Sequence, residues 1–484
     1  MKRPYRLTAS AALLCLPALA GAESLLEVYQ QALQSDPLVR EAEANRLAAE
    51  EASPQARGAL LPQITASGQY QDSTSDGNNV FVQQVPDPVT GDLIFVTQNT
   101  QRDNESEQTS WQVELTQTLF RWDQYVELKR AGKRVAQAFA NYEAAQQDLI
   151  VRVSERYFNV LAAQDSLAAA SASKRAIARQ LDQAKQRFDV GLIAITDVQE
   201  SQAAYDQAVA DEISAKRNLA TAREFLREIT GVYSGDLEAP QTGLPLILPQ
   251  PSSANEWVAT AIDQNLTLQA SRLNSEIAKA EISSRRSGHY PSVSFFARYS
   301  EFDDNATQEL NNNGRTDPAD AEQTTEAFGI QFSVPLFAGG TTSSRVREAV
   351  YLHRAAREQL QRVARETERA ARDAYLGVET DIARVQALTQ SLSSSQTALE
   401  ATEAGLEVGT RTTVDVLDAQ RNVFNAFTSL ERARYDYLLN VLRLKQAAGT
   451  LRVQDLEAIE AYLEVRGPEN VPRGIRTISE PATE

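Results

Sequence analysis

The chain repeats itself once, and this duplication limits the possible fold more than any other feature. Ala32-Leu33-x-x-Asp36 returns as Ala261-Ile262-x-x-Asn265 and Pro62 returns as Pro291, both 229 residues on. Leu119-Phe120 returns as Leu336-Phe337 at 217. Tyr157, Gly191, Asp197 and Gly231 return as Tyr375, Gly409, Asp415 and Gly449 at 218. The spacing drops once, across 63–119, so the first copy carries about a dozen extra residues there, read as a longer loop. Each copy has the order helix, strand, loop, strand, very long helix, sharp turn, long helix.

From Lys133 to Val190 there is no Gly or Pro, and Ala, Gln, Arg, Glu and Leu prevail. Good helix formers without a breaker predict a rod on the order of 85 Å long. Gly191 interrupts it, and a second helix is predicted from Ile195 to Thr230. The duplicate runs from Thr342 to Val408, turns at Gly409 and resumes from Thr412 to Ala448. Rods this long cannot bury their apolar stripes in one core, so they must pair lengthwise, in hairpins or across subunits.

Period-two alternation marks two strand pairs, 63–71 with 111–120 and 292–300 with 327–337. Ile64, Ala66, Tyr70, Trp111, Val113, Leu115 and Leu119 share one apolar face in the first. Val293, Phe295, Ala297, Tyr299, Phe328, Ile330, Phe332, Val334 and Leu336 share it in the second. Such strands suit a membrane wall, apolar to lipid and polar to a lumen. Between them lie polar stretches rich in Asp, Asn, Gly, Thr and Gln, which read as extracellular loops.

Residues 1–22 read as a signal peptide, with Lys2, Arg3 and Arg6 before an apolar core and Ala20-Gly21-Ala22 before Glu23. The single cysteine, Cys15, falls inside it, leaving no mature thiol for a disulfide, lipid anchor or metal. No later stretch is apolar for the roughly 18 residues a membrane helix needs, so any membrane crossing must use strands. The net charge of −17 becomes more negative once the leader is removed, which disfavours nucleic acid as a partner. His289 and His353 stand alone, and FAGGTTSSR lacks the lysine of a phosphate loop. No GxSxG, HExxH or paired-Cys motif is present, so neither an enzyme nor a cofactor is expected.

Four strands cannot close a barrel, and an open edge is not tolerated in lipid. Two chains would supply eight strands and three would supply twelve; a water-filled duct favours three. The two functional readings are an export channel and a pore-less structural coiled-coil protein of the envelope.

The stretches SLLEVYQQALQSDP, RQLDQAKQRFDVGLIAITDVQ, VGTRTTVDVLDAQ and ARYDYLLNVLRLKQAAGTL sharpen this choice. With them the chain resembles the TolC-like family of outer-membrane channels, which serve tripartite drug efflux and type I protein secretion. The resemblance implies a mainly α homotrimer. Its twelve-stranded outer-membrane β-barrel, four strands per chain, continues into a twelve-helix periplasmic α-barrel with a small mixed α/β equatorial domain. It divides the chain into a leader (1–22), a first repeat (23–231), an equatorial linker (232–252), a second repeat (253–449) and an equatorial segment with a C-terminal tail (450–484). It implies a passive duct of the outer membrane of a Gram-negative cell, reaching into the periplasm. A periplasmic adaptor (membrane fusion protein) and an inner-membrane RND or ABC transporter would open it.

The same resemblance puts the gate at the helix turns, Val190-Gly191-Leu192 and Val408-Gly409-Thr410, where an adaptor would dock. The closed state would be latched by Thr196 and Asp197 with Arg411, and by Glu403 and Arg434 with Gln180 nearby. The family's latch tyrosine falls on Leu406, which cannot hydrogen-bond. Asp415 and Asp418 match an acidic ring that selects cations and could be blocked by them. Spaced i, i+3, they share a helix face. Helix capping fits Asp197 and Asp415 equally well.

Overall fold

The computed structural model describes residues 22–241, 244–310, 316–318 and 320–464. The expected leader, apart from Ala22, and the tail beyond Glu464 lie outside the described residues. In chain order the first copy contains helices α1 (Leu25–Ser35), α2 (Pro37–Glu50) and α3 (Ala52–Gly58). Strands β1 (Gln63–Pro86) and β2 (Leu93–Phe120) come next, then α4 (Trp122–Asp189), α5 (Ile195–Thr230) and a short β3 (Ala239–Pro240). The second copy has α6 (Ala254–Gln264), α7 (Leu266–Arg286), a 3-10 turn, β4 (Ser292–Leu310), β5 (Thr316–Pro318) and β6 (Ala321–Ser333). It ends with α8 (Thr341–Glu407), α9 (Thr413–Ala448), α10 (Val453–Glu460) and β7 (Leu463–Glu464). No helix among the described residues is long and apolar enough to cross a membrane.

Contacts divide the chain into two compact units. One holds Leu47–Ala138 and Ser271–Gln359 and contains the large sheet. Its strands are antiparallel in the order β1-β2-β4, with β5 and β6 both pairing β4. The registers Ile64↔Leu115↔Ala297↔Phe328 and Ala66↔Val113↔Tyr299 gather the apolar side chains on one face. Gln112, Glu114, Thr116, Ser294, Arg298 and Gln331 fall on the other, where Arg298 bonds Glu114 at 3.0 Å. A register shift after Thr118 leaves Leu119 without a partner and brings Phe120 opposite Val293, onto the apolar face. This bulge changes the phase of the alternation.

Two strand expectations need correction. The polar stretch after residue 71 is strand, not loop, since β1 and β2 stay paired to Pro86↔Leu93. Residues 72–78 are polar on both faces, so this first part of the extension carries no apolar alternation to read. The strand expected over 327–337 stops at Ser333. Pro335 offers no N–H to a ladder, and Leu336 and Phe337 stand 93% and 89% exposed before α8.

The other unit holds Met1–Arg46, Phe139–Ala270 and Leu360–Glu484. Its main core joins Leu25, Val28 and Tyr29 of α1 to Tyr157, Phe158 and Leu161 of α4, Tyr435 and Leu442 of α9, and Leu456 and Ile459 of α10. Segments far apart in the chain meet here: β3 pairs β7, and Glu23 bridges Leu237 in parallel. Tyr157 fastens them, its hydroxyl donating toward the carbonyls of Glu23 (3.1 Å) and Glu238 (2.7 Å). Burial, followed by the Glu238 carboxylate, raises its pKa far above the ordinary phenol value. The hydroxyl therefore stays a donor. Away from this core the helices pack in small clusters rich in alanine, such as Ile177, Ala204, Ala208 and Leu417.

Candidate functional site: the helix turns

Both long hairpins turn in the same way. Helix α4 ends with Gly191 at φ 77°. The Leu192 N–H bonds the Arg187 carbonyl and the Gly191 N–H bonds the Phe188 carbonyl, both at 2.8 Å. Helix α8 ends with Gly409 at φ 76°, with Thr410 bonded to Gly405 and Gly409 to Leu406. These are Schellman caps, which want glycine because its positive φ carries no Cβ penalty. The turns leave Val190, Leu192 and Val408 70%, 73% and 75% exposed. They are apolar tips with nothing from their own chain covering them.

The helices that leave the two turns start differently. At α9, Thr412 and Asp415 form a reciprocal box. The Asp415 N–H donates to the Thr412 hydroxyl oxygen, while Asp415 Oδ2 accepts from the Thr412 N–H (2.8 Å) and hydroxyl (2.9 Å). These bonds, and Arg411 at longer range, lower the Asp415 pKa, although Asp415 has no burial. At α5 the cap position is Ala194, which has no such group. Asp197 is therefore left half-exposed at the third helical position with its carboxylate uncommitted to capping. The spacing Thr-x-x-Asp at 412–415 was a readable capping signal.

Arg411 and Thr196 are exposed. The Arg411 side chain lies over Gly405, where a Cβ would sit 2.7 Å from its Cγ. Gly405 is thus a residue the sequence did not single out. Leu406 packs with Leu399, Val416 and Val423. Asp418 is 62% exposed at its side chain and faces Arg421 at 3.6 Å.

Glu403 and Arg434 lie on different stretches of α8 and α9. Leu399 and Leu406 of α8 cluster with Val416 and Val423 of α9, so Glu403 stands level with the first turns of α9. Arg434 lies about 17 residues further along α9, roughly 25 Å at 1.5 Å per residue. It is bound instead to Glu431 at 2.8 Å, with both side chains largely buried. Gln180 is different. Ile177 and Leu417 share one cluster, which puts Gln180 within about one turn of the level of Glu403. Among the described residues no group of three or more His, Cys, Asp or Glu gathers as a metal site.

Known proteins agree with this architecture. Residues 28–232 and 257–450 match the family described as Outer membrane efflux protein. The outer membrane protein TolC of Vibrio cholerae serotype O1 is 38% identical over 465 residues, covering 96% of this chain and 99% of that protein. The alkaline protease secretion protein AprF of Pseudomonas aeruginosa is 30% identical over 474 residues, 95% of this chain and 92% of AprF. The fold matches the crystal structure of the Campylobacter jejuni CmeC outer membrane channel with a TM-score of 0.67, at 15% identity, over 91% of this chain and 90% of that one. With both repeats matched and a relative this close over nearly its full length, the chain belongs to the outer membrane efflux protein family, the TolC-like outer-membrane channels.

Proposed function

We propose that three copies of this chain form a passive exit duct of the outer membrane, gated at the turns around Gly191 and Gly409. The observation that carries the reading is the large sheet. One face is apolar, and Trp–Tyr pairs bracket it, Trp111 with Tyr299 (5.2 Å) and Trp122 with Tyr290 (6.4 Å). An apolar band between two aromatic girdles is the mark of a membrane barrel wall. Among the described residues the edge strands β1 and β6 have no further partner, so other copies must supply the rest of the ring. The names of the relatives, an efflux family and a protease secretion protein, support export of small molecules or of a protein. The energy would come from an inner-membrane RND or ABC transporter joined through a periplasmic adaptor, which would dock on the exposed Val190, Leu192 and Val408.

In a ring whose axis follows the helices, groups at one level stay level from copy to copy. Asp197 and Thr196 lie near the level of Arg411, and Gln180 lies near that of Glu403, so both pairs can latch neighbouring hairpins. Arg434, further along α9 and bound to Glu431, is left out of this latch. An Arg–carboxylate bond at an exposed turn is charge-assisted yet cheap to open, as a gate requires. Asp418 is the better candidate for the cation-attracting ring, because the Asp415 carboxylate is already engaged with Thr412. The test is single-channel conductance of the trimer in a planar bilayer. Arg411→Ser and Asp197→Ala should each raise conductance several-fold, and Asp418→Ala should lower cation preference. Wild-type conductance in both gate variants would overturn the latch, and no conductance from assembled trimer would return the pore-less envelope reading.

A further inference from the structure

Strands β1 and β2 run on past the apolar band as a two-stranded ribbon. Among the described residues β2 keeps β4 as a neighbour up to Arg102↔Leu310, whereas β1 and β2 remain paired to Pro86↔Leu93. That leaves about nine residues of ribbon, roughly 30 Å at 3.3 Å per residue. A tight turn closes it: the Asp87 N–H donates to the Asp92 carbonyl (2.8 Å), the Val89 N–H to Asp87 Oδ1 (2.7 Å), and Gly91 takes φ 77°.

Below its turn, which carries Asp87 and Asp92, the ribbon has no charged residue and mixes Val, Leu, Ile and Phe with Asn, Gln and Thr. Residues 77–86 and 93–101 contain no Asp, Glu, Lys or Arg, although the stem just below carries Asp72, Asp76, Asp103, Glu105 and Glu107. The register sets Val82, Gln84, Leu93 and Phe95 on one face and Gln83, Val85, Ile94 and Val96 on the other, where Ile94 and Val96 are only 40% and 41% exposed. Val82, Leu93 and Phe95 are 63%, 63% and 71% exposed. A lone two-stranded ribbon is marginally stable in water, and an uncovered apolar face on it marks a contact surface.

We infer that this face packs against the same ribbon of the other copies, so that three ribbons form a cap over the extracellular mouth. The inference rests on the trimer proposed above. Continuity selects the occupant. β1 is the edge strand that a neighbouring copy must pair to close the barrel, so the ribbon extends that interface directly. The neighbour's β6 has 13 residues against the 24 of β1, so it runs out and leaves the ribbon unpaired. Charge agrees. The face offers no basic group to a phosphate-bearing lipid surface and no carboxylates to drive copies apart, unlike its stem. Reach is sufficient as well. Twelve strands about 4.8 Å apart and tilted by about 40° make a ring of roughly 12 Å radius, less than the length of the ribbon.

The experiment uses the full chain in outer membranes, where cleavage of the leader takes the one cysteine, Cys15, with it. Phe95→Cys and, on the opposite face, Gln83→Cys are treated with a short bismaleimide, and the solubilised channel is weighed in parallel. At least five-fold more crosslinked dimer from Phe95→Cys than from Gln83→Cys is expected, and Leu93→Asp should abolish the excess. Val82→Cys, on the same face, replaces Phe95→Cys if that variant fails to assemble. A trimeric mass with equal or no crosslinking from the two faces overturns the cap and leaves the channel intact. A mass other than that of a trimer overturns the assembly and the cap with it.

Discussion

At the end of α1 the buried carboxylate of Asp36 takes two hydrogen bonds from Arg152, at 2.8 and 3.1 Å, and a third from the Val39 N–H. At the matching end of α6 stands Asn265, which accepts from the Leu268 N–H and donates to the Ala447 carbonyl. The counterpart of Arg152 is Ala370, and a cavity of about 570 Å³ opens beside it. The contrast recurs further along the hairpins. Ser171 and Lys174 bond Glu212 in the first repeat. The positions 218 residues on are Thr389, Leu392 and Leu430, of which Leu430 is buried with Leu392 against it. Two copies of one plan thus reach the same helix geometry by different means. The first uses charge at these joints, and the second uses neutral hydrogen bonds and apolar contact. The backbone path constrains the fold, while the chemistry at each joint is free to vary.

The largest effect should come from the closing glycines. Gly449 sits at φ 74°, and a Cβ there would lie 2.3 Å from the Gln264 carbonyl oxygen, which is backbone and cannot yield. Gly231, its partner in the first repeat, would meet only the Ser35 side chain at 3.5 Å. Gly231→Ala should cost about 1–2 kcal/mol for the left-handed backbone alone. Gly449→Ala should cost about 3 kcal/mol more or block assembly. Thermal melts of the two trimers check this, and equal melting temperatures would break the comparison.

Removing Arg152 leaves Asp36 charged, buried and unpaired. Burial alone pushes the Asp36 pKa up, but its bonds to Arg152 and the Val39 N–H outweigh that and hold it below the ordinary value. Arg152→Ala should destabilise by about 3 kcal/mol at neutral pH. Asp36→Asn with Arg152→Ala copies the second repeat and should recover most of the loss. A lowered carboxylate contributes stability above its ordinary pKa and loses it as pH falls through the folded value. The wild type should therefore lose this contribution below about pH 4, and the double variant should show a flatter acid profile. Denaturation followed from pH 7 down to 3 measures both.

The turns offer a smaller exchange. Thr412→Ala removes the box and should cost about 1 kcal/mol, whereas Ala194→Thr should create one with Asp197 and gain a similar amount. By engaging Asp197 it should also raise conductance, since the proposed latch then loses its carboxylate. The smallest effect concerns Glu212, whose pKa is lowered to about 2, first by the Lys174 hydrogen bond and then by that of Ser171. Its contribution is complete above its ordinary value and fades as pH falls toward 2. Glu212→Gln should therefore matter little at pH 3 and slightly at pH 7, as acid melts would show.

Much of this was legible without coordinates, but only where a local rule sufficed. Helix α5 runs from Ile195 to Thr230, the bounds marked by periodicity and a following glycine, and Gly191 and Gly409 adopt the positive φ that ends a rod. The apolar strand face follows from simple alternation. The extension of β1 past residue 71 was not legible, because residues 72–78 are polar on both faces and leave no hydrophobic period. The bulge after Thr118 was missed because a single-residue slip is decided by the partner strand.

The duplication, the rods, their glycine turns, the membrane-facing alternation and the family are all written in the order of the residues. All of these rest on steric preference and solvent contrast within a few residues. The tertiary structure decided which charges meet. It paired Arg434 with Glu431, laid Arg411 over Gly405, sank Asp36 beside Arg152 and committed Asp415 to its own helix cap. Such pairings depend on the height at which helices distant in the chain pass one another. That height is set by how their apolar stripes interlock, which the order of the residues alone does not state.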